Sequence, residues 1–386
     1  MLKTEKGAGM VAKNSPAREY DRTLLLVTFL LLAIGLIMVF SASFVAAEES
    51  HGDPYYFLKR QALWVAIGLL AMFCLSRLHY KKLKRLSLLI LMLNFVFLMM
   101  VFTGFGSDLG TEARRWLVFG PVILQPSEFS KLAFVIFTAA YMSSRRLNVR
   151  NFWAAVFIPL TMAGAAFFLI QYQPDLGTAL VVVAASALVI FLAGAPVHQF
   201  AGLSLFTMPI FAYFTVKQDY RVQRIFTYFD PWVDSSGSGY QIIQSLYALG
   251  PGHLFGAGLG RSRQKLFYLP EPQNDFIFAI IGEELGFIGA VTVMLLYLIF
   301  VWRGFQIAQK APDLFGSLLA GGITFIIATQ VLINVAVVTG SVPVTGINLP
   351  LISAGGSSVF FTLISIGILL NISRHGRTTS QSKGRA

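Results

Sequence analysis

The sequence is short of charge, of cysteine and of histidine. Asp, Glu, Lys and Arg make up 12% of its 386 residues, about half of the roughly 25% carried by soluble domains. Hydrophobic residues make up 56%, and mean hydropathy is +0.69, which argues against a soluble cytosolic enzyme. The single cysteine, Cys74, allows no intramolecular disulfide. Five scattered histidines argue against a His-based metal centre. The charge that is present has one sign in excess: 30 Lys and Arg against 18 Asp and Glu give a formal +12. In isolation that excess would fit a nucleic-acid partner.

The charges are distributed around apolar runs of roughly the 20 residues needed to cross a bilayer. Ten such runs occur, at 24–44, 62–75, 86–105, 132–142, 152–170, 178–195, 200–216, 276–302, 317–339 and 359–371. With the N-terminal tail in the cytoplasm and strict alternation, nineteen bases and four acids fall inside, against eleven bases and twelve acids outside, with Glu283 and Glu284 within a span. By the positive-inside rule both termini are cytoplasmic, and the nucleic-acid reading loses its support. The expected fold is an all-α polytopic membrane protein of about ten transmembrane helices. A membrane domain, 23–373, lies between basic tails at 1–22 and 374–386, and one long extracytoplasmic loop, 217–275, joins helices 7 and 8. Small residues after the first run faintly resemble a signal-peptidase site. The run is longer than a signal-peptide core and follows a 22-residue polar tail, so it reads as a retained span.

Within the long loop, residues 220–232 interleave Arg221, Gln223 and Arg224 with apolar side chains, a composition suited to the membrane interface. A Ser/Gly hinge at 235–239, an amphipathic stretch at 240–249 and a glycine cluster (Gly250, Gly252, Gly256, Gly258, Gly260) follow. No strand precedes the cluster and no GKS or GKT follows it, so flexible turns are expected instead of a nucleotide loop.

Polar residues collect at the outer ends of the runs. Arg115 and Trp116 precede Gln125, Glu128 and Lys131 at the mouth of the fourth. Glu128 and Lys131 share a helix face, either as a surface pair or as ionisable groups serving a site. Asp175 either caps the sixth helix or serves a site. Residues 353–358, SAGGSS, start the last span, where small residues and free amides, Ser357 among them, suit phosphate oxygens or simply cap the helix. The densest cluster comprises Arg261, Arg263, Lys265, Glu271 and Asp275, with Glu283 and Glu284 continuing into the eighth span. Interhelical hydrogen bonding accounts for Glu283 and Glu284; Asp275, at the rim, reads as functional. A carboxylate base among cations beside lipid suits transfer from a lipid-linked phosphate donor on the outer leaflet.

The motifs RRW, QPSEFSK, QPDLGTAL, SRQKLFYLPEPQNDFIFAIIGEELGFIGA and LPLISAGGSS, in this order, resemble the SEDS family (shape, elongation, division and sporulation) of bacterial wall polymerases. The likeness covers about residues 21–371 and is closer to the FtsW and SpoVE branch than to RodA. Ala354 stands where a tyrosine is common in the family, and Asn274 where a threonine or serine is.

The resemblance implies a peptidoglycan glycosyltransferase of the bacterial cytoplasmic (inner) membrane that polymerises lipid II on the outer face, with cell division as the expected role. It further implies a class B penicillin-binding protein and other divisome proteins as partners. Asp275 matches the family's essential aspartate. Arg60, Gln61, Arg115 and Lys131 would line the cavity and offset diphosphate charge, with Glu128 and Asp175 holding those cations. No ligand set requires a metal, and a divalent ion such as Mg or Mn stays open. Two rival readings remain: a lipid II flippase, which ten spans and embedded carboxylates also suit, and a non-enzymatic scaffold that recruits a transpeptidase.

Overall fold

The computed structural model describes residues 20–108, 113–120, 122–145, 147–202, 219–237 and 239–376. Nine of the ten apolar runs coincide with helices: α1 (Arg22–His51), α2 (Tyr56–Arg77), α3 (Lys81–Met100), α4 (Pro126–Met142), α5 (Ile158–Gln171, entered through a π turn at Trp153–Phe157), α6 (Leu176–Leu192), α9 (Ile277–Lys310), α10 (Leu314–Val338) and α11 (Gly356–Arg374). Seven of these are long and apolar enough to cross a membrane when the π turn is counted with α5, and α6 is a shorter apolar helix. All but residues 200–202 of the seventh run lie outside the described residues. Most of the helices overrun their apolar runs because backbone hydrogen bonding continues past the point where side chains leave lipid. Within the long loop lie α7 (Asp219–Phe229) and α8 (Tyr240–Leu249), the latter buried through Ile242, Ile243, Ser245 and Ala248.

The structure corrects the all-helical expectation at one place. β1 (Gly106–Ser107), β2 (Trp116–Phe119) and β3 (Val122–Leu124) form an antiparallel sheet in the order β1-β2-β3, with Gly106 opposite Leu117 and Leu117 opposite Leu124. Leu117 is fully buried. Strands this short carry no period that a reading of runs detects, yet they deliver Arg115 and Trp116 at the start of the central strand and lead directly into Gln125.

Six helix ends meet at one end of the bundle. Asp21 caps α1 by accepting from the Leu24 amide at 2.9 Å, and it pairs with Arg303 of α9. The Asn371 side chain of α11 accepts from the Tyr80 amide at the start of α3 and donates to the Ser76 carbonyl of α2, at 2.9 and 2.8 Å. The Tyr80 hydroxyl donates to Asp313, the cap of α10. Each buried terminus therefore finds a partner.

At the other end α9 is broken. Gly286 has φ 68° and ψ −166°, a left-handed conformation that only glycine adopts at low cost. The Phe287 and Ile288 amides consequently donate to the carbonyls of His253 and Leu254, while the Glu283 and Glu284 carbonyls accept from the amides of Ala257 and Gly258. Backbone meets backbone so closely that a Cβ on Gly286 would stand 2.3 Å from the Gly256 nitrogen. The glycine cluster is thus a docking segment pressed into a helix break. Flexible turns, the expectation from composition, are the wrong description for Gly252, Gly256 and Gly258.

Candidate functional site

Asp275 opens into a cavity of about 270 Å³ at this broken end. Its walls come from five places: Arg60 and Gln61 on the first turns of α2, Arg115 and Trp116 leading into β2, Ile123 in β3 with Gln125 just before α4, Glu271 and Asn274 just before α9, and residues between 346 and 358 up to the start of α11. Among the described residues no hydrogen-bond donor is recorded on the Asp275 carboxylate, which leaves it available to a ligand. Burial pushes this carboxyl up to about 6; Arg115 and Arg224 pull it down, while Glu271 and Asp175 add to the rise. Gly346, at φ 72°, brings its backbone against Asp275, and a Cβ there would lie 3.4 Å from Oδ2.

The cations fall into three groups. Arg60 and Arg115 line the cavity, and the Arg115 guanidinium stacks on the Trp116 ring at 4.5 Å. Arg115 Nε is buried without a partner. Lys131 lines a different, smaller cavity of about 20 Å³ between α4, α10 and α11, where it pairs with Glu128 at 2.7 Å. Both side chains are under 10% exposed, so this is neither a surface pair nor part of the Asp275 cavity. Lys265 is also sequestered. It pairs with Glu284 at 2.7 Å, with side-chain exposures of 2% and 0%, and its ammonium lies 4.8 Å from the Phe44 ring centroid. Arg261 and Arg263 are exposed and do not line the cavity.

The remaining candidates separate as clearly. Ser357 lines the cavity and accepts from the Gln125 amide at 3.3 Å; Gln125 lines it too. Gln61 donates to the Ser353 carbonyl and accepts from the Gly355 amide, fixing the loop before α11. Asp175 caps α6 at the Thr178 amide and accepts from Gln125 and Ser127. It therefore ties α4 to α6, and none of these bonds goes to a cation. Glu283 accepts from the Ser262 hydroxyl and the Arg263 amide, and Glu284 from Ser41 and Lys265, which fastens the docking segment to α1 and α9.

Reading by charge overlooked Asn334. It is 1% exposed, near the C-terminal end of apolar α10, and it donates to the Asp275 carbonyl at 2.8 Å. An amide inside a membrane span was the available signal. Among the described residues no three His, Cys, Asp or Glu side chains converge to hold a metal ion.

Comparison with known proteins gives a consistent result. Residues 21–378 match the cell cycle protein family that groups FtsW, RodA and SpoVE. Stage V sporulation protein E of Bacillus subtilis is 47% identical over 365 residues, covering 95% of this chain and 99% of that protein. The probable peptidoglycan glycosyltransferase FtsW of Geobacter sp. (strain M18) is 37% identical, with 93% and 98% covered. Among solved structures, a chain of a peptidoglycan synthase complex that coordinates polymerization and crosslinking aligns with a TM-score of 0.74 at 31% identity, with 92% and 98% covered. The rod shape determining protein RodA of Thermus thermophilus aligns at 0.68 and 28%, with 93% and 98% covered.

Proposed function

Because the chain belongs to the FtsW/RodA/SpoVE family of cell cycle proteins, we propose that it is a peptidoglycan glycosyltransferase that polymerises lipid II into β-1,4 glycan strands, with Asp275 as its base. The observation that carries this reading is the Asp275 carboxylate, free of side-chain donors among the described residues and opening into a cavity with Arg60 and Arg115. Asp275 removes the proton from the 4-hydroxyl of the acceptor's N-acetylglucosamine. That oxygen attacks the anomeric carbon of the donor chain's N-acetylmuramic acid, the bond to diphosphate breaks with inversion, and undecaprenyl diphosphate leaves. Arg60, Arg115 and the first-turn amides of α11 meet the charge developing on the diphosphate, as fixed donors do at a transition state. Lys131 and Lys265, already neutralised by Glu128 and Glu284, support the cavity from outside it.

A length argument supports a site at the membrane surface opposite the basic end, and the positive-inside rule makes that surface the outer one. A hydrocarbon slab of about 30 Å takes about 20 helical residues. Counted from Asp21 along α1 the slab ends near Ser41, and counted from Arg303 back along α9 it ends near Glu283. Ser41 and Glu284 are hydrogen bonded at 2.6 Å, so the two counts agree on one level. Counted from Ser76, α2 reaches the same level at Tyr56, so Arg60 on its first turns lies within about 6 Å of that level, on its membrane side. Asp275 lies about 12 Å beyond that level along the axis of α9, a height suited to sugars carried on a diphosphate. The chain is then a ten-span protein of the bacterial inner membrane, with both termini cytoplasmic and the 217–275 loop outside. A class B penicillin-binding protein is its partner, and cell division its setting.

Detergent-solubilised protein with a class B penicillin-binding protein should make glycan polymer from lipid II, and Asp275→Ala should make none. Detergent offers no leaflet to cross. Absence of polymer there, combined with lipid II crossing liposome membranes, would replace this reading with that of a flippase. Undiminished wall growth in cells carrying only Asp275→Ala would replace it with that of a scaffold.

A further inference from the structure

The backbone that carries Asp275 is held at three successive carbonyls, each by a different donor. The Gln273 carbonyl accepts from the Ala354 amide at 2.8 Å. The Asn274 carbonyl accepts from the Ser353 hydroxyl at 2.7 Å, and the Asp275 carbonyl from Asn334 Nδ2 at 2.8 Å. Neither side chain is a passive neighbour. Ser353 also accepts from the Leu349 amide at 2.8 Å, and Asn334 Nδ2 gives its second hydrogen to the Ile347 carbonyl at 2.8 Å. Both acceptors of Asn334 are carbonyl oxygens, so only its nitrogen fits there, and its own oxygen is buried without a partner. The two side chains are 1% exposed, so water does not compete for these bonds. Gln61 braces the arrangement from α2 through the Ser353 carbonyl and the Gly355 amide.

We propose that Asn334 and Ser353 are positioning residues for the transfer reaction: by fixing consecutive carbonyls of residues 274 and 275 they aim the Asp275 carboxylate into the cavity. The geometry fixes the backbone from which the Asp275 side chain projects. That backbone is pinned from α10 on one side and from the loop before α11 on the other, while the carboxylate remains free to take a proton. A displacement of about 1 Å at a reacting group costs on the order of 10²-fold in rate, so loss of either donor should be visible in turnover.

This inference rests on the reading of Asp275 as base. The test measures lipid II polymerisation by wild type, Asn334→Asp, Asn334→Ala, Ser353→Ala and Ser353→Thr, each with the same class B penicillin-binding protein, across a pH series. Asn334→Asp keeps the size but sets an oxygen against two carbonyls. The expected result is a fall in kcat of at least about tenfold for both Asn334 variants and for Ser353→Ala, with KM for lipid II within about twofold of wild type. Ser353→Thr, which keeps the hydroxyl, should recover activity. The acid limb of the rate profile should also move, because a loosened Asp275 meets more water. Unchanged kcat in Asn334→Ala and Ser353→Ala overturns the proposal. So does a fall that tracks only the folded fraction with an unmoved acid limb. If the Asn334 variants do not fold, Ser353→Ala, which removes a single hydroxyl, decides alone. Failure of wild type to make polymer would strike the reading of Asp275 itself, a different outcome from an active wild type with indifferent variants.

Discussion

Asp275 can accept a proton only while ionised, and burial raises its carboxyl to about 6. Polymerisation should therefore rise with pH through about 6 and level off above it, as a profile of kcat/KM checks. Its neighbours set the sign of two further shifts. Glu271→Gln removes a negative charge that favours the protonated form, so the acid limb should move down. Arg115→Gln removes a positive charge that favours the ionised form, so the limb should move up. Movement of both limbs in one direction would count against the assignment. A raised folded value also means that the fold holds this proton more tightly than the unfolded chain does. Stability is thus lost as pH rises from below about 4 through 6, and Asp275→Asn should raise the melting temperature at pH 7 by the equivalent of about 1–2 kcal/mol, with the difference gone below pH 4. Asp275 was legible in the sequence as a carboxylate among cations. The division among those cations was not. Lys131 has its partner three residues away, a spacing any reader can see, but Lys265 finds Glu284 only through the fold.

At the scale of elements, α9 and the segment docked on it form one unit. A Cβ at Gly286 meets left-handed backbone and the nitrogen of Gly256 together. Gly286→Ala should therefore cost about 1–3 kcal/mol or more, read as a lower melting temperature of the purified protein. The ion pair beneath the segment makes a sharper test. Lys265→Met strands Glu284 in a dry site, and breaking such a pair costs about 3–5 kcal/mol. Replacing both members as Lys265→Met with Glu284→Gln should recover most of the loss, because neither variant side chain carries a charge. Additive losses in the double variant would mean that the lysine contributes something other than neutralisation. Long apolar runs made most helices readable in advance, since lipid demands continuous hydrophobicity. The helix break was not readable: its cause is a contact between glycines about thirty residues apart in sequence, and each looks like an ordinary turn or helix residue alone. The small sheet escaped for a related reason, its strands being held by their partners and by Leu117 instead of by any pattern of their own.

For the whole molecule, the charge excess and the bundle geometry make the same demand. Among the described residues the basic excess gathers at the end where Asp21, Arg303, Asp313 and Arg374 lie, through Arg77, Lys81, Lys82, Lys84 and Arg85 at the facing ends of α2 and α3, and the cavity lies at the other. If the positive end is cytoplasmic, the outer end of α1 and the connection from α4 to the π turn before α5 must lie on opposite sides of the membrane. Ser50 is exposed on the last turn of α1, and Ser144 is exposed just after α4. The sole cysteine, Cys74, is removed by Cys74→Ser, so each site can carry the only thiol in turn. In intact cells a membrane-impermeant maleimide should label Ser50→Cys and leave Ser144→Cys untouched, and inverted vesicles should exchange the two results. Labelling of Ser144→Cys from outside would put the Asp275 cavity on the cytoplasmic side. There it would face newly made lipid-linked sugars instead of the growing wall, and the counts along α1, α2 and α9 would have to be read from the opposite end.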